Sequence, residues 1–433
     1  MTLFVDRALL PDGWASDVRI AIDAHGLIES VAAGASSAGA EIVRGSLLPG
    51  MANAHSHAFQ REMAGRAERR THVGDDFWTW RETMYALANR LSPDDYYTIA
   101  RSAYREMLAA GYTAVAEFHY VHRDPQGRWY DDRAIMARSA IAAARDAGIA
   151  ICLLPALYAH GDVGGAPLDD PQKRFASEVD DVLGIAATLR ADYAGDADVT
   201  IGVCAHSLRA VTPAQLGALI DGSPRDVPVH LHIAEQTREV EIVEAHLGAR
   251  PVAWLLAHAE VDERWTLVHA THLTGGERRA LARSRATVAL CPTTEANLGD
   301  GLFPLGPYLE DAGSFAIGSD SNVSIDVVEE LRWLEYGQRL QLRRRSVAAK
   351  TVGSSCGEVL YRAALFGGAR AVGRASGAIA YGKRADFVVL PEPPDGTPPP
   401  YILDRYIFAS QPGHPRAIMV SGRWIEPGLP TRR

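Results

Sequence analysis

Two histidines separated by one residue stand at the end of an apolar run. His55 and His57 follow a segment rich in Leu, Met and Ala, with Ser56 between them. In an extended strand, residues two apart point to the same face, so both imidazoles can approach one ion. A catalytic zinc typically takes three protein ligands and leaves one position open. An isolated pair also occurs on ordinary exposed turns, so the pair indicates a metal site only if further ligands come from elsewhere.

Further candidate ligands follow three later apolar runs. His232 ends the run that also contains His230, His269 ends the next one, and Asp320 ends the last. A single histidine at a strand end is usually structural, but several at the same end of successive strands are hard to attribute to chance. Catalytic residues of barrel enzymes come from the C-terminal ends of the strands. These positions therefore predict a metal centre at one rim of a barrel.

The elements that must position these residues form a repeating pattern between about residues 46 and 370. Apolar runs rich in Val, Ile, Thr and Ala alternate there with longer stretches such as Ile325–Arg344, which carries apolar residues at helical spacing. Eight strands alternating with helices indicate an α/β protein with a (β/α)₈, TIM-like barrel. The eight predicted strands are Ser46–Ala58, Thr113–His122, Ile149–Tyr158, Val199–Leu208, Val227–Glu235, Trp265–His272, Ala286–Thr293 and Phe315–Asp320.

The two ends of the chain have a different pattern. Strand-like pieces joined by Gly- and Asp-containing turns fill residues 1–45, and similar pieces occur at Phe387–Leu390 and Ala417–Trp424. A proline-rich segment, Pro391–Pro400, interrupts the second group and is predicted to be a surface loop. We expect both termini to build one small β-sandwich domain, formed by residues 1–48 and 371–433, beside a barrel of residues 49–370.

The bulk composition bounds the class of protein. The 433 residues are 47% hydrophobic and carry a formal net charge of −9, which argues against nucleic-acid binding as the main role. No stretch of about 20 apolar residues predicts a membrane span, and no export signal is evident. The four cysteines form no CxxC pair, and three stand in apolar runs. We therefore expect them to stay reduced and to pack as small apolar residues in the core. A cytoplasmic enzyme is the prediction.

The order of these motifs resembles the amidohydrolase superfamily. That superfamily places HxH after the first barrel strand, histidines after the fifth and sixth, and Asp after the eighth. The terminal segments resemble its accessory β-domain, and Gly377–Asp386 resembles its C-terminal strand. Longer strings resemble the bacterial formimidoylglutamate deiminases within it. These strings are His55-Ser-His-Ala-Phe-Gln-Arg61, Phe77-Trp-Thr-Trp-Arg-Glu82, His206-Ser-Leu-Arg209, His232-Ile-Ala-Glu-Gln236 and Cys291-Pro-Thr-Thr-Glu-Ala-Asn-Leu-Gly299.

The resemblance implies one divalent metal, with four ligands in this sequence: His55, His57, His232 and Asp320. Zn²⁺ is the expected ion, and Fe²⁺ also suits the ligand set. His232 is preferred over His230 because Glu235 follows three residues later, which is the spacing that the family shows. Binuclear members commonly use a carboxylated lysine on the fourth strand, whereas the run Val199–Leu208 contains no lysine. A mononuclear site is therefore expected.

The activity implied by the resemblance is hydrolysis of N-formimidoyl-L-glutamate to N-formyl-L-glutamate and ammonia, a reaction of histidine degradation. A metal ion lowers the pKa of water to about 7 and so provides hydroxide for attack on the formimidoyl carbon. Asp320 can accept the proton of the attacking water, Glu235 can pass it to the leaving nitrogen, and His269 can polarise the attacking oxygen. A homodimer is expected from the family alone.

The carboxylates of such a substrate favour bidentate arginine partners. Arg209, after the fourth strand, and Arg81, in the insertion after the first, match the family strings and are the predicted partners. Gln60, Tyr120 and His206 are predicted hydrogen-bond donors to the substrate. The ordinary fate of an arginine is a solvated surface charge, which is the alternative for both.

Two rival functions remain at this point. Another deaminase of the same superfamily, acting on guanine, cytosine or an adenosine-type compound, would keep the metal but would favour aromatic stacking over paired arginines. A non-catalytic scaffold would lose ligands, whereas every expected ligand is present. The sequence leaves open whether the acid is formimidoyl-glutamate or formimidoyl-aspartate. Four residues also have no settled role: Glu295, Asn297, Trp78 and Trp80.

Overall fold

The computed structural model describes residues 1–70, 73–392, 396–409 and 415–425. The strands in these residues are β1 (Thr2–Leu10), β2 (Gly13–Ile22), β3 (Ile28–Ala32), β4 (Glu41–Pro49), β5 (Met51–Ser56), β6 (Tyr112–His119), β7 (Ala150–Leu157), β8 (Val199–Ile201), β9 (Val203–Ser207), β10 (Val229–Ile233), β11 (Trp265–His269), β12 (Thr287–Leu290), β13 (Ser314–Ile317), β14 (Phe387–Leu390), β15 (Ala417–Val420) and β16 (Arg423–Ile425).

The α-helices in the same residues are α1 (Phe77–Ala88), α2 (Pro93–Ala109), α3 (Ile135–Ala147), α4 (Val179–Asp192), α5 (Pro213–Asp221), α6 (Thr237–Leu247), α7 (Pro251–His258), α8 (Gly275–Ser284), α9 (Pro292–Leu298), α10 (Leu305–Glu310), α11 (Val327–Leu342), α12 (Cys356–Ala371) and α13 (Ile402–Asp404). Shorter 3₁₀ turns cover Ala58–Met63, Asp170–Phe175 and Pro399–Tyr401, and a π-helical turn covers Arg405–Ala409.

The strands β5 to β13 form one parallel sheet in chain order, with β8 and β9 together providing the fourth strand. Two hydrogen bonds join its first and last strands. His57 N donates to Asp320 O and Asp320 N donates to His55 O, both at 2.9 Å. The barrel is therefore closed at the rim that carries the predicted ligands. The fold class predicted from the sequence is confirmed.

The two ends of the chain pair in a separate seven-stranded sheet, in the order β16-β15-β14-β4-β1-β2-β3. Alternate residues such as Val18, Ile20 and Ile22 are buried in a small apolar core of its own. The domain limits 1–48, 49–370 and 371–433 stay a prediction. Residues 393–395 of the predicted proline-rich loop, as well as 410–414 and 426–433, lie outside the described residues.

The predicted single run Ser46–Ala58 is wrong in one respect, because the chain changes sheets within it. The strand β4 belongs to the terminal sheet and β5 to the barrel, with Gly50 between them. A Cβ at Gly50 would lie 2.3 Å from Thr113 Cγ2. Only glycine therefore lets the chain cross so close to β6 and deliver His55 to the barrel rim.

An ion-pair network fastens the terminal sheet to the barrel. The buried guanidinium of Arg374 contacts Asp386 at 2.8 Å and Asp198, which precedes β8, at 3.0 Å. Although burial raises the pKa of Asp198, hydrogen bonds from Ser421 and Arg423 and the charge of Arg374 together lower it to about 2. The network holds the two sheets in a fixed relation on the side opposite the active rim.

Candidate active site

Four of the predicted residues converge at the C-terminal rim of the barrel. His55 Nε2 lies 3.0 Å from His232 Nε2, and Asp320 Oδ1 lies 3.3 Å from His55 Nε2 and 3.4 Å from His57 Nε2. One ligand atom from each of the four lies within 4.8 Å of the others, and all four residues are buried. Residues from strands one, five and eight thus meet at a common point, although up to 265 positions separate them in the chain.

Hydrogen bonds behind the rings fix which nitrogens face this point. His57 Nδ1 lies 2.9 Å from Phe118 O, and His232 Nδ1 lies 2.8 Å from His206 O. A carbonyl oxygen only accepts, so both Nδ1 atoms carry the hydrogen and both Nε2 atoms present lone pairs to the cluster. Burial lowers the pKa of His55, His57 and His232, which keeps these rings neutral.

The cluster is therefore electron-rich and lacks an internal positive charge to balance it. Lone pairs of neutral imidazoles and a carboxylate oxygen face one another among side chains that are less than a tenth exposed. The carbonyl groups of Phe118 and His206 orient the rings in the manner that is usual for histidines bound to a metal. Three imidazoles and one carboxylate match the ligand preferences of a divalent zinc-like ion. These residues fit the metal that the sequence implies.

The structure also separates His230 from His232. His230 Nε2 lies 2.8 Å from Ala371 O, deeper in the barrel, and the ring is fully buried there. Both residues lie on the same strand, but only His232 is at the height of the cluster.

A second possible ligand set shares Asp320 with the first. It consists of His269, Cys291 and Asp320. Burial and nearby carboxylates raise the pKa of the Cys291 thiol well above its ordinary value. The first cluster offers four ligand atoms rather than three, so it is the better ligand set.

The predicted catalytic residues lie beside the cluster. His269 Nε2 lies 3.7 Å from Glu235 Oε1 and 3.9 Å from Asp320 Oδ2. Burial lowers the pKa of His269, but Glu235, Glu295 and Asp320 outweigh it and raise the pKa to about 10. Burial raises the pKa of Glu235 to about 7. The arrangement places a hydrogen-bond donor and a proton carrier on one side of the cluster.

The backbone at the site adopts an uncommon conformation. Ala234, His269, Ala270 and Asp320 all have positive φ, between 45° and 69°. Such a conformation costs roughly 1 kcal/mol or more for each residue other than glycine, and it concentrates at functional sites. Here it turns Glu235, His269 and Asp320 at the ends of their strands toward the same point.

Glu295 is a site residue for which the sequence analysis found no role. It lies in the first turn of α9, and its Oε1 is 3.2 Å from His269 Nδ1 and accepts a hydrogen bond from Cys291 N at 2.9 Å. This contact directs the Nδ1 hydrogen of His269 away from the cluster and turns Nε2 toward Glu235 and Asp320. The signal in the sequence was a carboxylate four residues after Cys291, but its partner is distant in the chain.

The substitution Glu295→Gln is expected to lower kcat about tenfold and to leave KM within about twofold, because the amide loses the charge that stabilises a His269 cation. Metal content measured by mass spectrometry should match that of the parent chain. A change in KM or metal content with an unchanged kcat would contradict the positioning role of Glu295.

A cavity opens above the cluster, with about 530 Å³ of atom-free space that includes its opening to solvent. Arg209 lines it and is buried, with Nη2 3.9 Å from Glu235 Oε2 and with Nε lacking a protein partner. Arg81 also lines it and packs 4.6 Å from the ring of Trp78. Neither predicted arginine is a solvated surface charge.

The three other predicted substrate contacts also line this cavity. Gln60 Nε2 donates to Tyr120 Oη at 2.7 Å, which leaves Gln60 Oε1 buried without a partner. Gln60 Oε1 can therefore accept a hydrogen bond, while the second hydrogen of Nε2 is left for the predicted donor role. His206 has a double role, because its carbonyl fixes His232 while its ring faces the cavity.

Helix α1 forms one wall of the cavity and brings residues that the sequence analysis did not assign. Asp76 caps its N-terminus by accepting hydrogen bonds from Trp78 N and Thr79 N. The cavity face repeats at helical spacing and comprises Phe77, Trp80, Arg81, Met84 and Tyr85. Trp80 therefore faces the cavity rather than only filling a core of the insertion. Tyr85 lies eight residues after Phe77, a helical spacing that could have predicted both on the same face of the helix.

Asn297 lies outside the cavity. Its Nδ2 donates to Glu68 Oε1 at 2.7 Å, so it joins α9 to the segment that follows the first barrel strand. Its neighbour Leu298 does line the cavity. Asn297 therefore contributes to the position of the loops around the rim.

A (β/α)₈ barrel with three histidines and an aspartate gathered at its C-terminal rim defines a metal-dependent hydrolase. The chain belongs to the amidohydrolase family, whose family model matches residues 46–425. A second model, for the N-terminal domain of the formimidoylglutamate deiminase HutF, matches residues 1–44. Between them the two matches account for both the barrel and the terminal sheet.

Individual relatives agree with this assignment. The chain is 49% identical to formimidoylglutamate deiminase of Pseudomonas aeruginosa over 430 residues, which is 98% of this chain and 94% of the relative. It is 30% identical to 5-methylthioadenosine/S-adenosylhomocysteine deaminase of Halobacterium salinarum, covering 88% and 82%. The crystal structure of an amidohydrolase from Brucella melitensis superposes with a TM-score of 0.93 at 43% identity, covering 98% and 94%.

Proposed function

We propose that this chain hydrolyses N-formimidoyl-L-glutamate to N-formyl-L-glutamate and ammonia, a step of histidine degradation. The observation that carries the proposal is a buried arginine, Arg209, in the same cavity as the ligand cluster and 3.9 Å from Glu235. A cationic amidinium end and an anionic carboxylate end are both matched by this cavity. The 49% identity to a formimidoylglutamate deiminase over nearly the whole chain supports the same substrate.

The reaction needs one water, and it breaks one carbon–nitrogen bond. A divalent ion held by the four clustered residues would supply a hydroxide nucleophile near neutral pH. Asp320 and Glu235 border the same point and can take up the proton that the water loses. Glu235 can return it to the terminal nitrogen, which leaves as ammonia while the formyl C=O forms. His269 donates from Nε2 toward the oxygen that gains charge.

Charge complementarity orients the substrate. The carboxylate of Glu235 faces the region where the amidinium carbon must sit, whereas Arg209 and Arg81 provide guanidinium groups for the carboxylates. A guanidinium buried from water binds a carboxylate with charge-assisted hydrogen bonds, which are stronger than neutral ones. The substrate therefore enters in one orientation, with its reacting end at the ligand cluster.

The substitution Arg209→Met is expected to raise KM for N-formimidoyl-L-glutamate about 100-fold, equivalent to about 3 kcal/mol, because one charged partner of the substrate is lost. Ammonia release at increasing substrate concentration measures this change. The effect on kcat should stay within about tenfold, because the ligand cluster is untouched.

The control is Arg238→Met, since Arg238 is exposed and stacks 4.6 Å from Trp78 outside the cavity. Its KM should stay within about twofold of the parent. An unchanged KM in Arg209→Met would show that the carboxylates bind elsewhere. Absence of ammonia release from N-formimidoyl-L-glutamate by the parent enzyme, with release from guanine or cytosine, would establish the rival deaminase function instead.

The cavity chemistry disfavours that rival. A purine or pyrimidine base carries no carboxylate, so it would offer no anionic acceptor to Arg209 Nε, which is buried without a protein partner among the described residues. A buried donor that stays unsatisfied costs about 1–3 kcal/mol. A carboxylate of a formimidoyl amino acid can accept that hydrogen bond.

The proposal includes further features. Zn²⁺ is the ion that we propose, with Fe²⁺ as the alternative, since three imidazoles and one carboxylate suit both. The substrate is a small molecule with carboxylates, and neither nucleic acid nor a membrane is proposed as a partner. We propose a homodimer on the family resemblance alone. A cytoplasmic location is supported by the four cysteines, which are all free and buried. None of the helices in the described ranges combines the length and apolar character needed to cross a bilayer.

A further inference from the structure

Two tyrosines and a glutamine form a hydrogen-bonded group at the wall of the cavity. Tyr85 lies on α1, Tyr158 directly follows the third barrel strand, and Gln172 lies in the 3₁₀ turn Asp170–Phe175. Both tyrosines line the cavity, and all three residues are less than a tenth exposed. None of them belongs to the ligand cluster or to the substrate contacts predicted from the sequence.

The orientation of the Gln172 amide is fixed by a backbone contact. Its Oε1 accepts a hydrogen bond from Asp169 N at 2.9 Å. The NH₂ group must therefore face the other way, and Nε2 donates to Tyr158 Oη at 3.0 Å and to Tyr85 Oη at 3.2 Å. An amide nitrogen carries two hydrogens, so each tyrosine oxygen receives one of them.

This arrangement determines what the hydroxyl groups can do. Each tyrosine oxygen already accepts a hydrogen from Gln172, so its own hydrogen must find an acceptor elsewhere. The two oxygens are 3.4 Å apart, and at most one hydroxyl can donate to the other. No other protein acceptor for either hydroxyl exists among the residues that the structure describes. At least one of the two tyrosine hydroxyls therefore has no protein acceptor in the described residues for its hydrogen and can donate into the cavity.

The surroundings of the pair are positively charged. The Arg81 guanidinium lies 5.5 Å from the centre of the Tyr85 ring, and the charges of Arg81 and Arg209 both act on Tyr158. The Tyr158 ring also packs edge-on against His206 at 4.6 Å. A free hydroxyl donor beside two guanidinium groups is suited to an anion with planar oxygens, which is a carboxylate.

We infer that Gln172 holds Tyr85 and Tyr158 as hydrogen-bond donors to a carboxylate of the bound substrate. This inference rests on the proposed function, because it assigns residues to the acid end of the same substrate. The third barrel strand lies across the mouth from the sixth to eighth strands, which carry His269 and Asp320. The tyrosines are therefore placed to hold the acid end while the formimidoyl end lies at the ligand cluster.

The sharpest test is Gln172→Glu, which keeps the size of the side chain but replaces the donating NH₂ with a second oxygen. Both tyrosine hydroxyls would then donate to this carboxylate instead of to a ligand, and a negative charge would be added nearby. Calorimetric titration of the metal-loaded enzyme with N-formyl-L-glutamate or glutarate should show binding weakened about 30-fold. The double variant Tyr85→Phe with Tyr158→Phe, which adds no charge, should weaken it about tenfold.

Kinetics separate this role from a merely structural one. In both variants KM for N-formimidoyl-L-glutamate should rise by similar factors, while kcat stays within about threefold. The control is Tyr361→Phe, a buried tyrosine that donates to Pro49 O at 2.9 Å outside the cavity, and its binding should match that of the parent. Melting temperature and metal content identify a variant that fails to fold, and the tyrosine double variant then decides the question.

The outcomes for the inference and for the proposed function are distinct. Ammonia release by the parent with unchanged dicarboxylate binding in both variants would overturn the inference and leave the function in place. No ammonia release by the parent, with glutarate binding that depends on Gln172 and the tyrosines, would overturn the function and support the assignment of a carboxylate site. A parent enzyme that neither releases ammonia nor binds either dicarboxylate would overturn both.

Discussion

The substitution Glu235→Gln is expected to lower kcat for ammonia release about 10³-fold, within the range usual for loss of a general acid–base group. The amide keeps the size of the side chain but can neither take up nor return a proton. Glu235 follows β10 and lies between His269, 3.7 Å away, and Arg209, 3.9 Å away, so its carboxylate lies beside the ligand cluster where the proposed reaction takes place. Steady-state kinetics measure the change. KM should rise by no more than about tenfold, because the charge that faces the amidinium is lost while the arginines that bind the carboxylates are unchanged.

The matched control for this prediction is Glu330→Gln. Glu330 is also fully buried, but its carboxylate accepts a hydrogen bond from Thr293 N at 3.0 Å and lies outside the cavity. Its kcat should remain within about threefold of the parent once folding is verified by melting temperature. Equal losses in the two variants would mean that Glu235 acts only through the stability of the buried rim.

The substitution His232→Ala is expected to abolish metal binding and to lower activity more than about 10⁴-fold. The loss follows because water without a bound cation has a pKa of about 15.7 and supplies almost no hydroxide at neutral pH. The parent chain should gain thermal stability when Zn²⁺ is added after chelation, because the ion binds only the folded cluster. The variant should show no such shift in melting temperature. Metal analysis, calorimetry and ammonia release measure the three effects.

His230→Asn is the control for the metal prediction. His230 stands two residues earlier on the same strand, but its Nε2 contacts Ala371 O rather than the cluster. This variant should retain stoichiometric metal and most of the activity. Metal loss in His230→Asn together with metal retention in His232→Ala would reverse the assignment of the ligand on this strand.

The metal ligands were predictable because each stands at a position where local sequence and topology agree. His55 and His57 share a strand face, and His232 and Asp320 end later strands of one parallel sheet. Parallel strands of a barrel place all their C-terminal ends at one rim. Residues that end different strands therefore lie close together even when they are far apart in the chain. The arginines were predictable only through family strings, since an arginine carries no periodic signal of its own.

Two further residues, Glu295 and Gln172, could not be predicted in this way. Glu295 reaches His269 from a helix that follows a different strand, and Gln172 reaches two tyrosines from a loop. A hydrogen bond between distant segments has no spacing rule in the sequence.

The sequence by itself determined the barrel, the terminal β-domain and the types of the candidate metal ligands, because strand periodicity and residue chemistry are local properties of a chain. The class of reaction followed from the resemblance of its motifs to the amidohydrolase superfamily. The tertiary structure alone decided which nitrogen of each histidine faces the cluster, which arginine is buried beside Glu235, and which hydroxyl groups stay free to donate. These features depend on the direction of hydrogen bonds across the barrel rim, and such directions arise only when distant segments pack together.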